Sequence, residues 1–192
     1  MTQIFTIARQ TNLPIDNIIK VADFTIMLDG VLNTGSFGIS ELNSENSMSV
    51  VDNLAVPTNT YDGIAMYQNI ISSSYDVAVD VFDINSNDDV SGIIVEDGIN
   101  FQTIGFFLWF SGGITNAILY DLIGEGSEYV NETLIITTPE QPFKLRLILK
   151  DNTSKAYIDY NDGAGWIIVF DYAGITTPAT AKVGFGSFWL GD

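Results

Sequence analysis

The chain has 192 residues, of which 46% are apolar, and a net charge of −17, with no cysteine and no histidine. The two absences exclude disulfides, thiol nucleophiles, thiolate or imidazole zinc sites and the Ser-His-Asp triad. Between Lys20 and Lys144 there is no Lys or Arg but there are 18 Asp and Glu residues, a local charge of −18; such a field repels nucleic acid and anionic membrane surfaces.

Along the chain, strand-length runs alternate with clusters of Gly, Asn, Asp and Ser, the spacing of sandwiches and barrels. Residues 3–9 read as a short strand, Thr11, Asn12 and Pro14 as a break, and 15–20 as one helical turn. Residues 1–20 are therefore expected to be an N-terminal arm or an edge strand, and 21–192 a single sandwich domain. The start, MTQIFTIARQ, has no basic cluster leading into an apolar run, so no secretory leader is expected.

Strands are expected near 23–29, 36–42, 47–51, 63–71 and 74–84. In the last, Tyr75, Val77, Val79 and Val81 alternate with Asp76, Ala78 and Asp80, which predicts one apolar and one acidic face. Further strands follow near 91–96, 101–110, 115–122, 133–137, 143–150, 155–160, 166–171 and 181–190. The most apolar, residues 105–110 (GFFLWF), is far short of the roughly 20 residues of a membrane-spanning helix. It is apolar on both sides, with Phe107 and Trp109 on one and Phe106, Leu108 and Phe110 on the other. One side must meet something other than water. Phe107 and Trp109 are thus candidates for an oligomer or assembly contact, unless a loop or the N-terminal arm covers them. In residues 144–150, Leu145, Leu147 and Leu149 should face the core, with Lys144, Arg146, Ile148 and Lys150 facing away. Trp166 is expected to point into the core with Ile168 and Phe170. The fold class expected is all-β, a two-sheet antiparallel jelly-roll sandwich.

Residues 143–149 (FKLRLIL), 156–160 (AYIDY), 162–166 (DGAGW) and 183–186 (VGFG) form a pattern, with 74–81 (SYDVAVDV) and 91–95 (SGIIV) upstream. This pattern resembles the concanavalin A-like lectin/glucanase superfamily, and is most similar to laminin G-like modules and sandwich domains appended to glycosidases. The resemblance covers roughly residues 23 to 190. It implies a jelly-roll sandwich and a lectin-like binding role, and in many members a structural calcium.

The glucanases of that superfamily carry an E-x-D-x-x-E strand, whereas this chain has D-x-x-x-D-x-x-D at Asp76, Asp80 and Asp83. Asp76 and Asp80 would lie about 13 Å apart along a strand, too far for a retaining carboxylate pair. No catalytic residue is therefore assigned, and the expectation is not an enzyme; a carboxylate-only glycosidase is the remote exception. The loop Asp83, Asn85, Asn87 and Asp89 begins like an EF-hand, but Asp88 stands at the glycine position and Ile94 at the bidentate glutamate. These four side chains are the candidate site for Ca2+; the alternative is a polar loop of Asx turns. Tyr61, Tyr67, Tyr120, Tyr157 and Tyr160 are the candidate ring-stacking residues for a sugar.

Two functions follow. The first is a non-catalytic binding module, carbohydrate-binding or adhesive, with a glycan or protein partner. The second is a structural protein of a virion or phage particle, a decoration, tail or fibre component on the same sandwich. The sequence assigns no compartment; a place outside a cell or on a virion surface is compatible with either. Neither involves nucleic acid or membrane insertion, and both allow a homo-oligomer or larger assembly.

Overall fold

The computed structural model describes residues 3–6, 30–31, 39–41, 48–51, 54–57, 63–81, 89–97, 102–123, 127–139 and 142–187. Its strands are β1 (Gln3–Thr6), β2 (Gly30–Val31), β3 (Ile39–Glu41), β4 (Met48–Val51), β5 (Leu54–Pro57), β6 (Gly63–Ile71), β7 (Ser74–Val81) and β8 (Asp89–Asp97). They continue with β9 (Gln102–Ser111), β10 (Ile114–Ile123), β11 (Ser127–Ile136), β12 (Phe143–Lys150), β13 (Thr153–Asp159), β14 (Ile167–Ala173) and β15 (Thr180–Ser187). There is no helix among the described residues.

The strands form two antiparallel sheets, in the orders β14-β13-β12-β7-β1-β5-β4-β2 and β11-β10-β9-β8-β15-β6-β3. The chain crosses repeatedly between them, so that β12 lies beside β7 and β15 between β8 and β6. The protein is an all-β jelly-roll sandwich. β1 has β7 on one side and β5 on the other, so the first strand lies within a sheet and not at its margin. Residues 7–20, including the expected helical turn, lie outside the described residues.

The period-two alternation gives the core directly. Tyr75, Val77, Val79 and Val81 of β7 are buried, as are Leu145, Leu147 and Leu149 of β12 and Ala156 and Ile158 of β13. They meet Ile93, Val95, Ile104, Phe106, Leu108, Ala117, Leu119, Val183 and Phe185 of the second sheet in one cluster. Burying each large side chain contributes roughly 1.5–3 kcal/mol. Phe106 and Phe170 meet edge to face across the sheets, 6.3 Å between ring centres at 84°. Burial and the nearby charge of Asp97 push the Tyr75 hydroxyl up to about 12, and main-chain hydrogen bonds at Ser72 and Ala181 pull it part of the way back.

Two features depart from the sequence expectations. Leu54–Pro57 forms a strand that pairs with both β4 and β1. β14 carries a bulge: Phe170 faces Ala156 and Ile168 faces Tyr157, leaving Val169 as the extra residue. A bulge reverses the alternation on one side of it. Phe170 therefore packs inward, while Ile168 is 47% and Trp166 36% exposed. The expectation that Trp166 and Ile168 point into the core is corrected.

Candidate functional site

Among the described residues, the outer face of β7, β12, β13 and β14 brings the most charged and aromatic side chains together. The strand registers set it in rows: Asp80, Lys144 and Asp159 in one, Ala78, Arg146, Tyr157 and Ile168 in the next, Asp76, Ile148, Lys155 and Asp171 in the third. Arg146 donates from Nε and Nη2 to the two oxygens of Asp76, at 2.7 and 2.6 Å. Both groups are mostly shielded, with side-chain exposures of 19% and 13%. This bidentate bond raises the Arg146 pKa further, against the opposing effect of burial.

The Arg146 guanidinium also lies over the Trp166 ring, 5.7 Å from its centre. Asp76 thus fixes the guanidinium, and the guanidinium backs the indole. Cation–π contact of this kind is worth about 0.5–1 kcal/mol at a partly exposed site. The turn that delivers Trp166 is built from Asx residues. Asn161 N–H donates to Asp159 Oδ1 and Ala164 N–H to Asp162 Oδ1, both at 2.9 Å. The Asn161 side chain ties the turn to the Pro142 carbonyl, also at 2.9 Å. Gly163 and Gly165 take φ of 89° and 77°, which a side chain would resist.

Other opposite charges on this face are strand neighbours, and one further pair is in contact. Lys155 Nζ meets Asp171 Oδ2 at 2.9 Å. Lys144 stands between Asp80 and Asp159 across the strands. Burial raises the Asp80 carboxyl above its ordinary value; Lys144 lowers it and Asp159 raises it further. The face carries Lys144, Arg146, Lys150 and Lys155 against Asp76, Asp80, Asp159 and Asp171, four of each sign, in a chain whose net charge is −17. The acidic face expected on β7 meets cations from β12: Asp76 is ion-paired with Arg146, and Lys144 stands opposite Asp80. Both oxygens of Asp76 are engaged by Arg146.

The aromatic candidates do not converge. Tyr157 lies on this face, directly opposite Arg146 and Ile168. Tyr160 packs against the core instead, and burial and then Asp162 push its hydroxyl up. Tyr120 lies on the outside of the other sheet, its ring 6.1 Å from that of Phe107. Tyr67 is in β6 but its side chain is outside the described part, and Tyr61 lies outside the described residues. Of the calcium candidates, Asp83, Asn85 and Asn87 lie outside the described residues, and Asp89 opens β8 with its side chain undescribed. Among the described residues no group of three or more acidic side chains is placed to hold a metal.

Of the two assembly candidates, Trp109 is 37% exposed but Phe107 only 1%. Phe107 is therefore buried within the chain and offers a partner no surface. Its ring occupies a slot floored by glycine: a Cβ on Gly105 would come within 1.9 Å of ring atom Cζ, and one on Gly92 within 2.6 Å of Cδ1. Trp166 and Arg146, which sequence reasoning passed over as site residues, are the centre of the candidate face. The available signal was a Trp directly after a Gly-rich turn, beside an Arg at an outward position.

No family model matches this sequence and no curated protein matches it. Solved structures share the fold, among them two proteins of unknown function. One is a functionally unknown protein from Saccharomyces cerevisiae, with a TM-score of 0.52 and 15% identity, covering 79% of this chain and 86% of that one. The other is an uncharacterised protein from Mycobacterium paratuberculosis, with a TM-score of 0.51 and 12% identity, covering 80% of each. At these identities the likeness is one of fold alone.

Proposed function

We propose that the chain is a non-catalytic glycan-binding module of the concanavalin A-like type, with the outer face of β7, β12, β13 and β14 as its binding surface. The observation that carries this is the exposed Trp166 indole, backed by a guanidinium that Asp76 holds fixed. A rigid ring with one free face stacks on the C–H face of a pyranose, and neighbouring polar groups take its hydroxyls. Tyr157, Lys144 and Asp159 stand in the adjoining positions.

The test is a glycan array, repeated with added calcium and with chelator, on the chain, Trp166→Ala and Tyr157→Ala. Binding that falls at least tenfold in Trp166→Ala, with an unchanged circular dichroism spectrum, supports the reading. No binding to any glycan, or undiminished binding by Trp166→Ala, overturns it. Loss of binding only in chelator would assign a calcium to the chain.

A second reading, a structural protein of a virion or phage particle, is favoured by the exposed large aliphatics Ile114, Leu134, Ile135, Ile167 and Ile168. Its mark would be a chain found in purified particles and bound there through those residues.

A further inference from the structure

The two sheets differ in charge. The described strands of the first carry four cations against four carboxylates. In the second, β8 to β11 carry six carboxylates and no cation. Lys182 of β15 is that sheet's one cation among the described residues, and its Nζ stands 3.7 Å from Glu96.

β11 ends the second sheet among the described residues. Its C-terminal half is apolar and open, with Leu134 46% and Ile135 69% exposed. The strand registers set Trp109, Asn116 and Ile135 in one row, and Ile114 shares their face by the period of two. Trp109 and Ile114 are 37% and 49% exposed. Leu134 alternates to the opposite side, so this end of the strand is apolar on both sides. β11 contains no Lys, Arg or Pro, and its only charges are Glu128 and Glu132.

An open sheet edge offers unpaired N–H and C=O groups to an added strand. We infer that the β11 edge docks an extended segment of a partner protein in which apolar residues alternate with Lys or Arg, the segment adding a strand to the second sheet. Main-chain hydrogen bonds hold the segment, the exposed aliphatics and Trp109 take its apolar side chains, and the glutamates attract its cations. Charge selects this occupant. β11 laid against its own copy would bring glutamates together, which is destabilising across a strand pair, and each copy carries −17. The chain's own alternating basic strand, β12, has both edges taken, by β7 and β13. Nucleic acid and anionic lipid are repelled by the same acidic field. The glycan face lies on the other sheet, and this inference does not rest on it.

The experiment is calorimetric titration of the full chain with a capped peptide as long as β11, 10 residues, alternating Lys with Val and Ile. A counterpart with Glu at every Lys is the comparison, and amide hydrogen exchange is followed on the same samples. The Lys peptide should bind about tenfold or more tighter than the Glu peptide, weaken as salt screens the charges, and protect the amides of 127–136. Ile135→Ser should weaken it by about tenfold through lost apolar burial, and Glu132→Lys should narrow the preference between the two peptides. Absence of binding, equal affinity for the two peptides, or binding that leaves the exchange of 127–136 unchanged overturns the proposal. Protection of those amides by self-association of the chain, or by phosphatidylcholine vesicles and not by the Lys peptide, overturns it as well. The exchange measurement decides the matter on the unmodified chain even if a variant fails to fold.

Discussion

Asp76 and Arg146 meet diagonally across β7 and β12. Directly opposite Asp76 is Ile148, and directly opposite Arg146 is Ala78, yet the carboxylate and guanidinium share two hydrogen bonds of 2.7 and 2.6 Å. Diagonal neighbours in an antiparallel pair are about 7–8 Å apart at the backbone, within reach of a long side chain. The small Ala78 leaves the guanidinium room to turn towards Asp76 and towards Trp166 at once.

Arg146→Ala should lower stability by about 1–3 kcal/mol, because it leaves a shielded carboxylate without its donors. Arg146→Lys should fall between, since it keeps the charge but not the planar fork or the flat group behind the indole. Urea unfolding of both variants checks the order, and Trp fluorescence should shift in both. Equal stability of Arg146→Ala and the unmodified chain would mean that the pair contributes nothing.

The glycine floor beneath Phe107 gives a second expectation. A Cβ at Gly92 would stand 2.1 Å from the Phe106 carbonyl oxygen, a main-chain atom that cannot swing aside. At Gly105 the three nearest atoms it would meet are all ring atoms of Phe107. Overpacking costs typically 1–3 kcal/mol. Gly92→Ala should reach or exceed the upper end, and replacing Phe107 should not relieve it. The cost of Gly105→Ala should shrink when Phe107→Leu is added. A double-mutant cycle by thermal unfolding measures this, and additive effects at Gly105 and Phe107 would contradict the contact.

The buried pair Gln102 and Asp121 sets a pH dependence. Gln102 Nε2 donates to Asp121 Oδ1 at 2.9 Å, with both residues 4% exposed. Burial raises the Asp121 carboxyl above 3.8, and the Gln102 bond opposes this. The folded state therefore holds this proton more tightly than the unfolded chain. That contribution is fully present below the unfolded value and is lost as pH rises from there through the folded value. Asp121→Asn keeps an acceptor for Gln102 and removes the charge, so it should abolish this part of the slope and match or exceed the original stability at neutral pH. Gln102→Leu should cost about 1–3 kcal/mol at neutral pH by stranding the carboxylate. Urea midpoints across pH decide it; identical slopes for the chain and Asp121→Asn would clear Asp121 of any part.

The alternation in β7 and β12 announced the core, and the two-sided apolarity of residues 105–110 was legible too. What escaped the pattern is what one strand does to another. The bulge at Val169 is a property of the β13–β14 pair and turned Trp166 and Ile168 outward against a simple count by twos. The outward Asp76 read simply as part of an acidic face because Arg146, its partner, lies 70 positions away in the chain. Asp121 occupies a slot of the inward series Ala117, Leu119, Asp121, and only the neighbouring strand shows that Gln102 satisfies it. Phe107 was legible as an outward residue, but not its cover.

The last described strand, β15, lies between β8 and β6, both of which precede it by more than 80 positions in the chain. On a ribosome, those two strands must wait with facing ladders unmade until residues 180–187 have left the exit tunnel. Long-range closure of this kind is slow and leaves exposed edges meanwhile. The nascent sandwich therefore has a period, set by translation of β9 to β14, in which a chaperone or a neighbouring nascent chain can compete for the slot.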